Sequence, residues 1–280
     1  MNSGRSDFSE IQGKPSSWRC SALGDRVNEQ VLERLESIGF VVVTDLELPP
    51  SDLERAKRTV LHFGRRFGSP LWQDDLGTLV WVVRDEMHRF APDPRNILDV
   101  RNGSKSSKSS DGLGFHSDGA ARWLDQDVDL MGLFAVRTTS NGGDTKLLDT
   151  RALFDVLASE APDAANRLSR PLPFDRSANR LPEQSDISWH PMFSWEGSTF
   201  RARFNPARLV ATMRDHPHLR DDSVIAAVDV LNTFVERPEF QLTFHLEAGE
   251  CIFVDERKVA HGRTGFSDPE RTLLRIWLNA

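Results

Sequence analysis

"FQLTFHLEAGECIFVDE", residues 240–256, decides the fold class. It reads as two strands rich in aromatic and β-branched residues, broken at Ala248–Gly249, and "RTLLRIWLNA" at 271–280 adds a third. Further toward the N-terminus, "ISWHPMFSW" and "STFRARF" are strand-like pieces joined by a Glu-Gly turn, and "VDLMGLFAVRTT" is a strongly apolar strand. "GTLVWVVRD" and "NILDVR" also have strand composition. Helices fall between and before these strands. In "NEQVLERLESIGFVVVTDL" the apolar residues Val31, Leu32, Leu35 and Ile38 keep helical spacing, Gly39 stops the helix, and a β-branched strand follows. "SDLERAKRTVLHFGRRFG" predicts a helix opened by Ser51 as N-cap and closed near Gly64 or Gly68. "SNGGDTKLLDTRALFDVL" turns at Asn-Gly-Gly into a short strand ending at a helix. "NPARLVATM" and "DDSVIAAVDVLNTFVER" read as helices, capped by Asn205 and by Asp221 or Asp222, with Pro206 at the first helical position. Many short strands with a few helices outside them predict a mostly β chain with flanking helices, a double-stranded β-helix or jelly roll. One domain over 27–280 is expected, after a flexible N-terminal segment over 1–26.

The chain of 280 residues, 39% of them hydrophobic, is long enough to bury a large core. Its longest apolar runs, "FVVV" and "LMGLFAV", fall far short of the roughly 20 residues that cross a bilayer. The polar N-terminus carries no apolar h-region of a secretory signal. Cys20 and Cys251 are too few for a disulfide framework and lack metal-ligand spacing. A net charge of -7 without a basic block argues against a broad nucleic-acid surface. A cytoplasmic protein with a small-molecule ligand is expected, with no nucleic-acid or membrane partner; the oligomeric state stays open, a homodimer included.

"GLGFHSDGAAR", residues 112–122, places a histidine and an aspartate one residue apart. In an extended chain these side chains share a face, so His116 and Asp118 can converge on one point while Ser117 faces away. On its own a His-X-Asp tripeptide has weak specificity and more often means two solvated residues. A third ligand would come from His261 in "VDERKVAHGRTGF", completing a 2-His-1-carboxylate set suited to non-haem Fe(II) with open positions. His62, His88, His190, His216, His218 and His245 are isolated or lie in Pro-rich turns and read as structural or solvated. Residues 102–113, just before the tripeptide, are Gly, Ser, Lys and Asp with almost no apolar side chain. Such a segment is expected to be mobile, serving as a lid or as a disordered surface loop.

"FHSDG", "GGDTKLLDTRALFDVL", "CIFVDERKVAHGRTGF" and "RTLLRIWL", in that order and spacing, resemble the taurine dioxygenase and clavaminate synthase-like family of Fe(II)/2-oxoglutarate-dependent oxygenases. "LESIGFVVVTDL" and "FGRRFGSPLWQ" resemble its N-terminal part, so the likeness covers roughly 30–280. The resemblance implies that His116, Asp118 and His261 hold iron, and that Thr145 and Arg271 bind the distal carboxylate of the co-substrate 2-oxoglutarate. It makes Arg275 a second arginine, facing the co-substrate or an acidic group of the substrate. It further implies O2 as oxidant, with decarboxylation of 2-oxoglutarate to succinate coupled to oxidation of an unactivated C–H bond. Asp118 occupies the carboxylate position that halogenases of related folds lack, which favours hydroxylation or desaturation.

Apart from the resemblance, Arg271 and Arg275 are four residues apart in a strand and share a face, where a guanidinium fork suits a carboxylate; salt bridges at a sheet edge are the other reading. "GRTGFSDPE" between His261 and Arg271 is short compared with some relatives, so which of the two arginines anchors the co-substrate stays open. Arg122, Arg201 and Arg203 could also face the iron, and an arginine there would call for an anionic substrate, a small acidic or amino-acid-like metabolite. A cupin-like metal isomerase or hydrolase without redox chemistry could use the same histidines and carboxylate without needing Thr145 or Arg271.

Overall fold

The "FVVV" run is buried on both of its faces, which is why it shows no apolar-polar alternation. Phe40 and Val42 point into the space between two sheets, while Val41 and Val43 point outward under helices. The computed structural model describes residues 8–11, 13–74, 76–85, 110–121, 127–176 and 185–280. In chain order the strands are β1 (Arg19–Ser21), β2 (Phe40–Thr44), β3 (Ser69–Pro70), β4 (Val80–Arg84), β5 (Leu113–His116), β6 (Leu130–Arg137), β7 (Thr145–Asp149), β8 (Leu172–Asp175), β9 (Ile187–His190), β10 (Phe193–Glu196), β11 (Thr199–Ala202), β12 (Gln241–Phe244), β13 (Cys251–Asp255), β14 (Val259–Arg263) and β15 (Thr272–Asn279). The helices are α1 (Phe8–Ile11), α2 (Val27–Ser37), α3 (Leu53–Gly64), α4 (Thr150–Glu160), α5 (Pro162–Leu168), α6 (Pro206–Asp215) and α7 (Asp222–Val235).

The larger sheet runs β1-β2-β13-β6-β15-β3, with β4 also paired to β15. The smaller runs β12-β7-β14-β5. Alternation then sorts each strand between layers. On β15, Leu273 and Trp277 enter the inter-sheet core, while Leu274, Ile276 and Leu278 pack outward against the α2 and α3 layer. On the smaller sheet Leu147 and Val259 face inward, and Leu148 and Ala260 face the helical layer of α4 to α7. Two sheets with helices on their outer faces form the expected jelly roll. Gly132 sits where a Cβ would lie 2.9 Å from both Ile276 and Phe253, so β6 and β15 close over it only without a side chain.

The segment expected to be flexible over 1–26 is partly built into this core. Phe8 and Trp18 are buried, Phe8 meets Phe40 edge-on at 5.5 Å, and β1 runs parallel to β2. Burial of these two aromatic rings, with the β1–β2 pairing, ties the stretch to the core. The cap of α3 is Asp52 and not Ser51, because the Asp52 carboxylate accepts the Arg55 N–H at 2.8 Å. "NILDVR" and residues 102–109 of the expected lid lie outside the described residues; Ser110 and Asp111 are tied back to Phe266 and Arg263 through their carbonyls.

Candidate metal and co-substrate site

β5 and β14 are antiparallel neighbours, and their register sets His116 directly opposite His261, with ring centroids 4.4 Å apart. β5 ends at His116, and the chain turns at once, carrying Asp118 on the turn and not on the strand. One potential ligand atom from each of His116, Asp118 and His261 lies within 4.8 Å of the others. His116 Nδ1 is 3.0 Å from the Gly114 carbonyl, which makes Nδ1 the protonated nitrogen and leaves Nε2, 3.7 Å from Asp118 Oδ1, as the lone-pair donor.

Asp118 is buried and held on both carboxylate oxygens. Arg275 Nη1 donates to Oδ1 at 3.1 Å and Trp277 Nε1 to Oδ2 at 2.7 Å. Burial alone would raise its pKa, but the opposing influences, led by the Arg275 charge beside it, hold the carboxyl well below the usual range. Burial lowers the pKa of His261, keeping its imidazole neutral and able to donate a lone pair. Two imidazoles and one carboxylate whose ligand atoms lie within 4.8 Å of one another form a donor set that fits a divalent first-row cation.

The GGDT motif builds the neighbouring part of the site. Gly142 and Gly143 adopt φ of +74° and +72°, and a Cβ on Gly143 would lie 2.8 Å from Arg271 Nε. Only glycine leaves room there for the arginine, which donates from Nη2 to the Gly143 carbonyl at 3.2 Å and lies over the Phe266 ring. The same turn leads directly into Thr145, buried at the start of β7. Burial and the adjacent Arg263 push the Arg271 pKa down to about 10, and its Nη1 is buried without a hydrogen-bond partner among the described residues. A desolvated guanidinium with an unused donor is a fit for a carboxylate supplied from outside the chain.

The two arginines of β15 therefore stand in different surroundings. Arg271 faces the Gly142–Gly143 turn, whereas Arg275 is engaged by Asp118 and, through Nε, by Gln73 Oε1 at 2.8 Å. Arg201 and Arg203 share a face as alternation requires, but both are directed at Asp127, Arg201 at 2.7 Å. They are committed to an internal carboxylate; Arg122 lies outside the described residues. Three residues of the site escaped the sequence reading: Gln73, Trp277 and Glu256. Trp277 carried a signal, being two residues beyond Arg275 on the same strand face. Glu256 is buried, and its Oε2 accepts the Asp118 N–H at 2.7 Å. Burial, and then the Asp118 charge, push its carboxyl well above the usual range, and a divalent cation held beside Asp118 would pull it back toward the ionised form.

Residues 14–277 match the family model described as taurine catabolism dioxygenase TauD, TfdA family. Among curated proteins, the FR-33289 synthase of Streptomyces rubellomurinus is 21% identical over 99% of this chain and 89% of its own length. A uridine-5'-phosphate dioxygenase of a Streptomyces species is 27% identical over 89% of this chain and 87% of its own. Among solved structures, asparagine oxygenase in complex with Fe(II), 2S,3S-3-hydroxyasparagine and succinate superposes with a TM-score of 0.64 at 16% identity, covering 99% of this chain and 86% of that one. A taurine dioxygenase from Burkholderia xenovorans gives 0.61 at 19% identity, covering 94% and 88%.

Proposed function

Because the chain belongs to the TauD, TfdA family of Fe(II)- and 2-oxoglutarate-dependent oxygenases, we propose that it hydroxylates or desaturates an aliphatic carbon of a small, polar, anionic or amino-acid-like metabolite. Family membership decides against the non-redox cupin-like alternative. The reading is carried by one observation: the register of β5 and β14 brings His116, Asp118 and His261 together beside an arginine with an unused buried donor. His116, Asp118 and His261 would hold the iron, which when bound supplies the oxidising chemistry that couples O2 and 2-oxoglutarate to C–H oxidation.

The chain's own residues have distinct tasks in this scheme. Arg271, with Thr145, would pair with the distal carboxylate of 2-oxoglutarate and so set the direction from which its other end meets the metal. Gly143 keeps Arg271 in that pose by leaving its stem room. Arg275 and Trp277 keep the Asp118 carboxylate ionised and oriented as a ligand. Arg275 is thus better read as a positioning residue for Asp118 than as a co-substrate anchor. The inter-sheet core behind the site, from Leu147, Val259 and Leu273, excludes water from one side.

Relatives whose names specify a nucleoside monophosphate, and neighbours crystallised with hydroxylated amino acids, support a small polar substrate. An anionic group on it fits the uridine-5'-phosphate named for a relative. Among the described residues no helix is long and apolar enough to cross a membrane, and we place the enzyme in the cytoplasm. The test is succinate release by the purified protein with Fe(II), 2-oxoglutarate and O2, comparing candidate carboxylates and phosphates with their neutral amides or esters. Succinate release stimulated by an anionic compound and not by its neutral counterpart is expected; equal turnover of both would refute the anionic substrate.

A further inference from the structure

Glu256 opens the turn that joins β13 to β14, five residues before His261, and it touches two of the three candidate ligands. Its Oε2 accepts the backbone N–H of Asp118 at 2.7 Å, and its Oε1 lies 3.0 Å from His261 Nδ1. The approach to Nδ1 is off the ring N–H direction, so this is a close contact and not a formed hydrogen bond, and among the described residues neither Oε1 nor Nδ1 has a hydrogen-bond partner. The side chain is 2% exposed, so these contacts are made without competition from water. The backbone of the same residue is fixed as well, donating to the Asp129 carbonyl at 2.9 Å and accepting from Ser117 Oγ at 3.2 Å.

Resting on the metal-site reading above, we propose that Glu256 is a positioning residue for the iron centre, a single carboxylate that orients the His261 ring through Nδ1 and holds the Asp118 turn through its N–H. The chemistry requires a carboxylate. A histidine that gives the Nε2 lone pair to a metal keeps its proton on Nδ1, so both groups facing Glu256 are donors. Two donors need two acceptor oxygens on one side chain. Glutamine offers one acceptor and one donor, so one of the two contacts becomes donor against donor whichever way the amide is turned. Outer carboxylates of this kind raise the basicity of the imidazole and fix its tautomer, and their loss characteristically weakens metal binding.

The test uses Co(II) as the probe on the full chain without 2-oxoglutarate, by competition with a chromophoric chelator. Glu256→Gln is expected to bind Co(II) about 10- to 100-fold more weakly than the parent, while His116→Ala loses it. Parent-like affinity in Glu256→Gln alongside loss in His116→Ala overturns the role of Glu256 and leaves the metal site standing. Parent-like affinity in His116→Ala overturns the metal site itself, and this inference with it. Should Glu256→Gln fail to fold, the Co(II)-loaded parent decides. Its proton NMR spectrum in H2O should show two strongly shifted, exchangeable ring N–H signals, from His116 and His261. A single such signal would mean that His261 Nδ1 carries no proton toward Glu256, which refutes the proposal.

Discussion

Replacing Arg271 by alanine should abolish tight 2-oxoglutarate binding while leaving the fold intact. The guanidinium is buried, donates from Nη2 to the Gly143 carbonyl and has an Nη1 without a hydrogen-bond partner among the described residues, so an incoming carboxylate would gain a charge-assisted bond in a site shielded from water. Removing one partner of a buried ion pair costs about 3–5 kcal/mol. Taking about 3–4 kcal/mol for this contact, with roughly tenfold per 1.4 kcal/mol, the dissociation constant for 2-oxoglutarate should rise about 100- to 1,000-fold. The unliganded protein behaves differently. There the arginine is a desolvated charge whose pKa burial pushes down to about 10, so its removal relieves a cost that offsets the lost contact with Phe266. Its melting temperature should stay within about 2 °C of the parent. Calorimetric titration of 2-oxoglutarate into the anaerobic Fe(II)-loaded protein measures the first quantity and a thermal melt the second. A change of less than about threefold in the dissociation constant, or a large rise in Arg275→Ala with none in Arg271→Ala, would refute the assignment of Arg271 as anchor.

Asp118→Ala, His116→Ala and His261→Ala should each lose Fe(II) and substrate oxidation with little change in far-UV circular dichroism; turnover at the parent rate by any of them would disprove the ligand set. Gly143→Ala should raise the 2-oxoglutarate dissociation constant by roughly 5- to 30-fold, from about 1–2 kcal/mol of strain at φ +72° and a Cβ 2.8 Å from Arg271 Nε, without altering metal affinity. His190, buried and stacked on Phe174 at 4.3 Å, has its pKa pushed by burial from 6.5 to about 4. Between those values the unfolded chain binds a proton that the folded chain excludes, so stability should fall as pH drops from 6.5 to about 4, by up to roughly 3 kcal/mol. Urea midpoints across this range should fall less steeply in His190→Phe, and identical slopes in both proteins would refute this.

What the sequence by itself determined about this protein rests on short-range periodicity and on motif order. Two-residue alternation and doubly buried runs such as Phe40–Val43 reveal strands, and 3.6-residue spacing reveals α2, α6 and α7, because each pattern is imposed by the local backbone geometry. His116 and Asp118 are two residues apart, so local reading singled them out as a candidate pair, whereas Arg271 was named through the resemblance of its run to a family, with Arg275 left open beside it. The tertiary structure alone decided which side chains from distant segments share one volume. Trp18 joins the core because β1 pairs with β2, and neither strand pattern announces a partner. Arg201 and Arg203 look equally able to meet a substrate or a carboxylate until the fold delivers Asp127, 74 residues from Arg201, into their reach. Glu256 stands 138 residues from Asp118 and meets it only because the turn after β13 packs against the turn after β5. Strand register is a cooperative property of whole sheets, with no signature in the few residues flanking a contact, so the candidate ligands were legible and the groups packed around them were not.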